Sequence, residues 1–100
     1  MVANGADIHS ENEDPLRLAA EKGCLELVMF CVDLGANIHA IDDCALRNAA
    51  RGGHFAVFKY LVDKGANVRA RNDDSLRIAG LYGHTDIVNC IEQEIIKMNK

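Results

Sequence analysis

The chain has 100 residues, 49% hydrophobic and 26% charged, enough to build one small core with little apolar surface to spare. A net charge of −4 leaves no broad basic surface, which excludes nucleic acid as an expected partner and disfavours an anionic membrane. No apolar run approaches the roughly 20 residues that span a bilayer, and the start lacks the pattern of a signal peptide. The expected location is intracellular, in the cytoplasm.

A period of thirty dominates the sequence. Leu46, Arg47, Ala49 and Gly53 recur thirty residues earlier as Leu16, Arg17, Ala19 and Gly23, and thirty later as Leu76, Arg77, Ala79 and Gly83. Such a period marks a repeat array, in which each unit buries its apolar face only against its neighbours. The units read as 11–40, 41–70 and 71–100. Residues 1–10 read as the tail of a preceding unit, because Val2, Gly5-Ala6 and Ile8 occupy the places of Val32, Gly35-Ala36 and Ile38. The chain then starts inside a second helix. Either it is a piece of a longer array, or its first unit is frayed, with Val2 and Ile8 exposed and open to self-association.

In the first full unit, Glu13-Asp14-Pro15 opens a helix, with Asp14 placed to cap orphan N–H groups and Pro15 suited to the first turn. Asp74-Ser75 matches it in the third unit. Cys44 holds the cap position in the middle unit, where a thiol is a poor acceptor, so that helix start is expected to be the weakest. Leu16, Ala19, Ala20 and Gly23 share one helical face, and the glycines at 23, 53 and 83 end the helix.

A second, antiparallel helix follows. Leu25, Val28, Cys31 and Val32 form its apolar side against Glu26, Met29 and Asp33, and Phe55, Phe58, Leu61 and Val62 oppose Ala56, Lys59 and Asp63 in the next unit. Gly35 and Gly65 end these helices. The third unit has Ile95-Ile96 where Gly65-Ala66 stands, so the helix continues, with Ile91, Ile95 and Met98 as its apolar stripe and Glu92, Gln93, Glu94, Lys97 and Lys100 facing water. This reads as a terminal cap. Cys24, Cys31, Cys44 and Cys90 have no paired spacing and read as free thiols in a reducing compartment.

Helix, tight glycine turn, helix, then Gly-Ala-Asn-Ile or Gly-Ala-Asn-Val resembles the ankyrin repeat over essentially the whole chain. The family's Thr-Pro-Leu-His tetrapeptide has its counterparts in Asp14-Pro15-Leu16-Arg17, Cys44-Ala45-Leu46-Arg47 and Asp74-Ser75-Leu76-Arg77. The Gly-His after the first helix is kept at Gly53-His54 and Gly83-His84, with Cys24 in place of the first histidine. The resemblance implies an all-α solenoid of stacked antiparallel helix pairs.

Two departures stand out. The unit is shorter than the family's usual length of about thirty-three, and the loss falls in the hairpin loop, so the loops are expected to be short. Arginine replaces the tetrapeptide's histidine at Arg17, Arg47 and Arg77, each four places after an acid, Glu13, Asp43 and Asp73. This spacing suggests an ion pair across the helix start that takes over the histidine's loop contacts. Short-loop units with this Leu-Arg signature are similar to the ankyrin proteins of giant DNA viruses of amoebae, which would put the protein in a host cytoplasm.

Catalytic chemistry is not evident. His54 and His84 occupy equivalent places, about one helix diameter or ~10 Å apart, too far to share a zinc ion with donors at about 2 Å; bonds to neighbouring backbone are their expected role. His9 and His39 fall in loops and are expected to be exposed. No nucleophile elbow or phosphate loop occurs, since Gly52-Gly53-His54 lacks the lysine and spacing. Cys44 beside Asp43 lacks a base, and the adjacent acid disfavours its thiolate. No enzyme activity, cofactor or metal is expected.

What remains is a surface for a protein partner. On the first helices the positions left exposed include Leu18, Glu21 and Lys22, then Asn48, Arg51 and Gly52, then Ile78, Leu81 and Tyr82. In ankyrin proteins these positions line the concave face and are the usual contacts. Ile78, Leu81 and Tyr82 share one face and either anchor a partner or, for Ile78 and Leu81, pack on neighbours. Leu18, Glu21, Lys22 and Arg51 complete the candidate set on the helices, with Ile41, Arg69 and Arg71 contributed by loops. The alternative is a structural spacer within a longer array, with no partner of its own.

Overall fold

The computed structural model describes residues 14–98, apart from the side chains of Asp14 and Ile41. The expectations for Met1, Val2, Ile8, His9, Glu13 and Lys100, and for capping by the Asp14 side chain, lie outside the described residues. Six helices are present among those described: α1 (Asp14–Lys22), α2 (Leu25–Asp33), α3 (Ala40–Gly52), α4 (Phe55–Asp63), α5 (Ala70–Leu81) and α6 (Thr85–Met98). Each odd helix packs on the even helix that follows it. The odd helices also pack side by side as an inner layer, and the even helices form the outer one.

Small residues set the inner spacing. Ala19, Ala20, Ala49 and Ala50 are buried to 2% exposure or less, so backbones approach closely without unmatched volume. Leu16 and Leu46 fill the space above them, and Val28, Phe58, Leu61, Ile87 and Ile91 complete the core from the outer layer. Each fully buried leucine or phenylalanine contributes about 1.5–3 kcal/mol by leaving water. Two details differ from the sequence pattern. Val57, not Phe55, faces the core of α4: Val57, Phe58 and Leu61 share the buried face, and Phe55 is 38% exposed. At the end of α6, Ile91 is buried and Ile95 half-buried, but Ile96 and Met98 are exposed and Glu94 is half-buried against Lys97. The apolar stripe of α6 therefore ends before Met98.

The inner turns are locked between units. Gly23, Gly53 and Gly83 adopt φ near 73–75°, a left-handed conformation that strains other residues. The histidine of the next unit closes over the turn: His54 Nε2–H donates to the Glu21 carbonyl at 2.9 Å, and His84 Nε2–H to the Arg51 carbonyl at 3.1 Å. These bonds satisfy carbonyls left orphaned at a helix end. A Cβ on Gly23 would lie 2.4 Å from His54 Nδ1, and one on Gly53 2.7 Å from His84 Cε1, whereas nothing lies within 4 Å of a Cβ on Gly83. Backbone bonding is thus the role of both histidines, as the sequence suggested.

The arginines act differently from the expected pairing. Helices α3 and α5 open with left-handed backbone, at Asp42 and Asp43 and at Arg71, Asn72 and Asp73, a region Asp and Asn tolerate better than most residues. That turn directs the acids backwards. Asp43, buried to 4% exposure, takes His39 Nδ1 at 3.0 Å and accepts the Asn67 N–H at 2.7 Å. Asp73 pairs with Arg69 at 2.8 Å. Arg47 instead donates from Nε to the Asp42 carbonyl at 3.1 Å and reaches across to Asp74 of the next unit at 3.1 Å. Arg77 repeats the first contact, donating from Nε to the Asn72 carbonyl at 3.2 Å. The arginine does serve the loop, through carbonyls rather than through the acid four residues back. Asp74 meets Arg47 and Arg77 instead of capping helix N–H groups. Asn37 and Asn67 close the short loops by accepting the N–H two residues on, at 2.9 Å each.

Truncating Leu46 to alanine is expected to cost about 2–5 kcal/mol in a urea melt; a loss under ~0.5 kcal/mol would misplace the core. Gly53→Ala should destabilise by roughly 1 kcal/mol more than Gly83→Ala, since both meet the positive φ but only the first meets a histidine ring. Equal losses would refute the inter-unit lock. Arg47→Ala, which breaks a largely buried contact between units, should cost about 1–3 kcal/mol, while Arg77→Ala, 62% exposed, should cost less than half as much by the same melt.

Candidate functional site

Three rows of side chains cross the inner layer at equal heights: 18, 48 and 78; 21, 51 and 81; 22, 52 and 82. They come from the helix face turned away from the outer layer, because 16, 19 and 20 and their equivalents are spent on packing. Leu18 is 53% exposed, Leu81 78% and Tyr82 55%. Glu21, Lys22 and Arg51 are also exposed, while Ile78 is half-buried and Gly52 has the His54 ring where a side chain would stand. The expected apolar trio is therefore an exposed pair, Leu81 and Tyr82, with Ile78 partly packed against its neighbours.

Polar contacts order the middle of this face. Arg51 donates to Asn48 Oδ1 at 3.0 Å, and Asn48 Nδ2–H donates to the Arg17 carbonyl at 3.4 Å. Between α1 and α3 lies an open groove of about 420 Å³ lined by Pro15, Arg17, Leu18, Glu21 and Asn48. The sequence reading placed Leu18, Glu21 and Asn48 on this face, Asn48 outside the candidate contact set, and left out Pro15 and Arg17; the i, i+3 spacing from Pro15 to Leu18 was the available signal. The Tyr82 ring is 6.1 Å from that of His84, tilted by 54°. This contact ties the exposed pair to the inter-unit turn.

Of the three residues expected in loops, only Arg69 lies in one; Ile41 falls in the first turn of α3 and Arg71 in that of α5. Arg69 and Arg71 are exposed but engaged, Arg69 with Asp73 and Arg71 with Asp42 at 3.4 Å. The Asp73 carboxylate, by hydrogen bond and charge, raises the Arg69 pKa further. The Ile41 side chain is outside the described set. His39 is exposed as expected, though bonded to Asp43.

Elsewhere the chemistry is sparse. A second groove, about 280 Å³, runs along the outer helices beside Phe55, Lys59, Cys90 and Lys97. Burial pushes the Cys90 thiol up, with the nearby Glu94 and Asp63 charges adding to it, so the thiolate nucleophile is disfavoured there. Lys59 is paired with Asp63 at 2.7 Å. The four cysteines are separate thiols, only Cys24 of them exposed. Among the described residues no three His, Cys, Asp or Glu side chains stand close enough to hold a metal ion, and no helix is long and apolar enough to cross a membrane.

Residues 16–62 match the family model described as ankyrin repeats (many copies). No curated protein matches the chain. Ankyrin repeats are in general protein–protein interaction modules and typically non-enzymatic. The third helix pair lies beyond the match and keeps the same glycine turn and histidine contact. The matched pattern over the first two pairs and the repeated geometry of the third give this chain an all-α repeat fold of stacked helix pairs, similar to ankyrin repeats.

Proposed function

We propose that this protein is a non-catalytic binding module that holds a protein partner on the concave face formed by α1, α3 and α5. The observation that carries this is the exposure of Arg51, Leu81 and Tyr82 in two adjacent rows, on helices whose backbones are fixed by buried packing and by the histidine contacts. An aromatic and an apolar side chain held on a rigid support make an anchor whose ordering costs little on binding. Leu18, Glu21 and Lys22 form the other end of the contact surface, and Ile41, Arg69, Arg71 and Ile78 its margin. With the similarity of its short-loop units to giant-virus repeat proteins, the site of action is a host cytoplasm.

The second reading, a stacking segment of a longer array, is favoured by a different residue. Leu27 is 44% exposed, while its equivalents Val57 and Ile87, each with a described helix pair before it, are buried. A preceding outer helix would cover it.

Affinity capture from native cytoplasm separates the two. The wild-type chain should retain proteins that are lost from an Arg51→Glu, Leu81→Glu, Tyr82→Ala variant with an unchanged melt, because all three side chains are exposed. Identical lists from both would contradict binding through this face.

A further inference from the structure

All six arginines of the chain lie in one layer. Arg17, Arg47, Arg51, Arg71 and Arg77 stand on the inner helices, and Arg69 immediately precedes α5. The outer helices carry no arginine. Their charges are six acids against Lys59 and Lys97 alone. The outer helices are thus net acidic, whereas on the inner helices six acids are balanced by five arginines and Lys22.

The inner acids are largely committed. Asp43 holds His39 and the Asn67 N–H, Asp73 holds Arg69, Asp74 faces Arg47 and Arg77, and Asp42 faces Arg71. Arg51 differs from these arginines. It is exposed, its bond at 3.0 Å is to the neutral Asn48 amide oxygen, and no carboxylate pairs with it among the described residues. In its row Arg51 stands between Glu21 and Leu81, about one helix diameter (~10 Å) from each. Lys22 is exposed at one end of the face, and Leu81 and Tyr82 at the other.

We propose that this face takes an acidic segment of another protein, its carboxylates against Arg51 and Lys22 and an apolar side chain seated on Leu81 and Tyr82. The proposal deepens the protein-binding reading of the same face and rests on it. A guanidinium with unused donors offers a carboxylate two parallel bonds, and the apolar pair beside it excludes water from them. A nucleic acid fits less well. Its affinity comes from neutralising many phosphates, whereas Arg47, Arg69, Arg71 and Arg77 already face carboxylates and Glu21 stands in the row.

The test is an unbiased selection of displayed random peptides of about 12 residues on the immobilised full chain. Enriched peptides are then titrated by fluorescence anisotropy into the wild type, Arg51→Glu and Leu81→Ala, beside a labelled single-stranded RNA of similar length. The expected result is enrichment of net-negative peptides with an apolar residue, weakened about tenfold or more by Arg51→Glu and also by Leu81→Ala, roughly 1.4 kcal/mol per tenfold. Raising salt from about 50 to about 300 mM should weaken the wild-type complex further. Enriched peptides that are neutral or basic, or that bind Arg51→Glu as tightly, would overturn the acidic partner while leaving the binding face standing. RNA binding as tight as that of the peptides would overturn it in favour of phosphate recognition. An empty selection would overturn the protein-binding reading together with it.

Discussion

The fold depends on a burial constraint: no helix pair in this chain can cover its own apolar side. Alanines at 19, 20, 49 and 50 let the inner helices touch, and the leucines at 16 and 46 become core only because a neighbouring unit closes over them. Leu76, with no described unit beyond it, is half-buried. Burial is therefore a property of the interface between units, and stability accrues in steps along the stack. The His54 and His84 contacts act on the same interfaces, joining the Gly23 and Gly53 turns to the unit that follows.

A face unspent on packing follows from that division of labour. Packing consumes one face of each inner helix and the glycine turn consumes its end, so the opposite face is held rigid without being needed for folding. Side chains there can vary with little cost to the core, as the changes from Glu21 to Arg51 to Leu81 along one row illustrate. A polar end and an apolar end result, on one preordered surface. The charge distribution follows the same division, since the acids at the starts of α3 and α5 face arginines, His39 and a backbone N–H, whereas Arg51 bonds the neutral Asn48 amide.

Much of this was legible in the sequence because the repeat supplies three copies of each position. The glycine turns, the buried Leu and Ala set and the backbone role of His54 and His84 all follow from period and residue type. The arginine contacts did not. Spacing alone put Asp43 and Asp73 within helical reach of Arg47 and Arg77, but helical spacing applies only within right-handed helix, and the left-handed residues in the first turns of α3 and α5 turn the acids away. The partner of Arg47, Asp74, is 27 residues on, a contact that a short-range pattern cannot reveal. Likewise phase left packing open for both Ile78 and Leu81, and the structure packs Ile78 and leaves Leu81 exposed.

The central claim is that order in each unit is imposed by its neighbours, leaving a rigid inner face. Native-state hydrogen exchange tests it directly, because it reads local opening amide by amide. The account predicts slowest exchange in α3, the inner helix packed on both sides by α1 and α5, with α1 and α5 opening more readily. Exchange in α3 as fast as in the flanking inner helices would contradict it, and would mean that the units hold their shape independently.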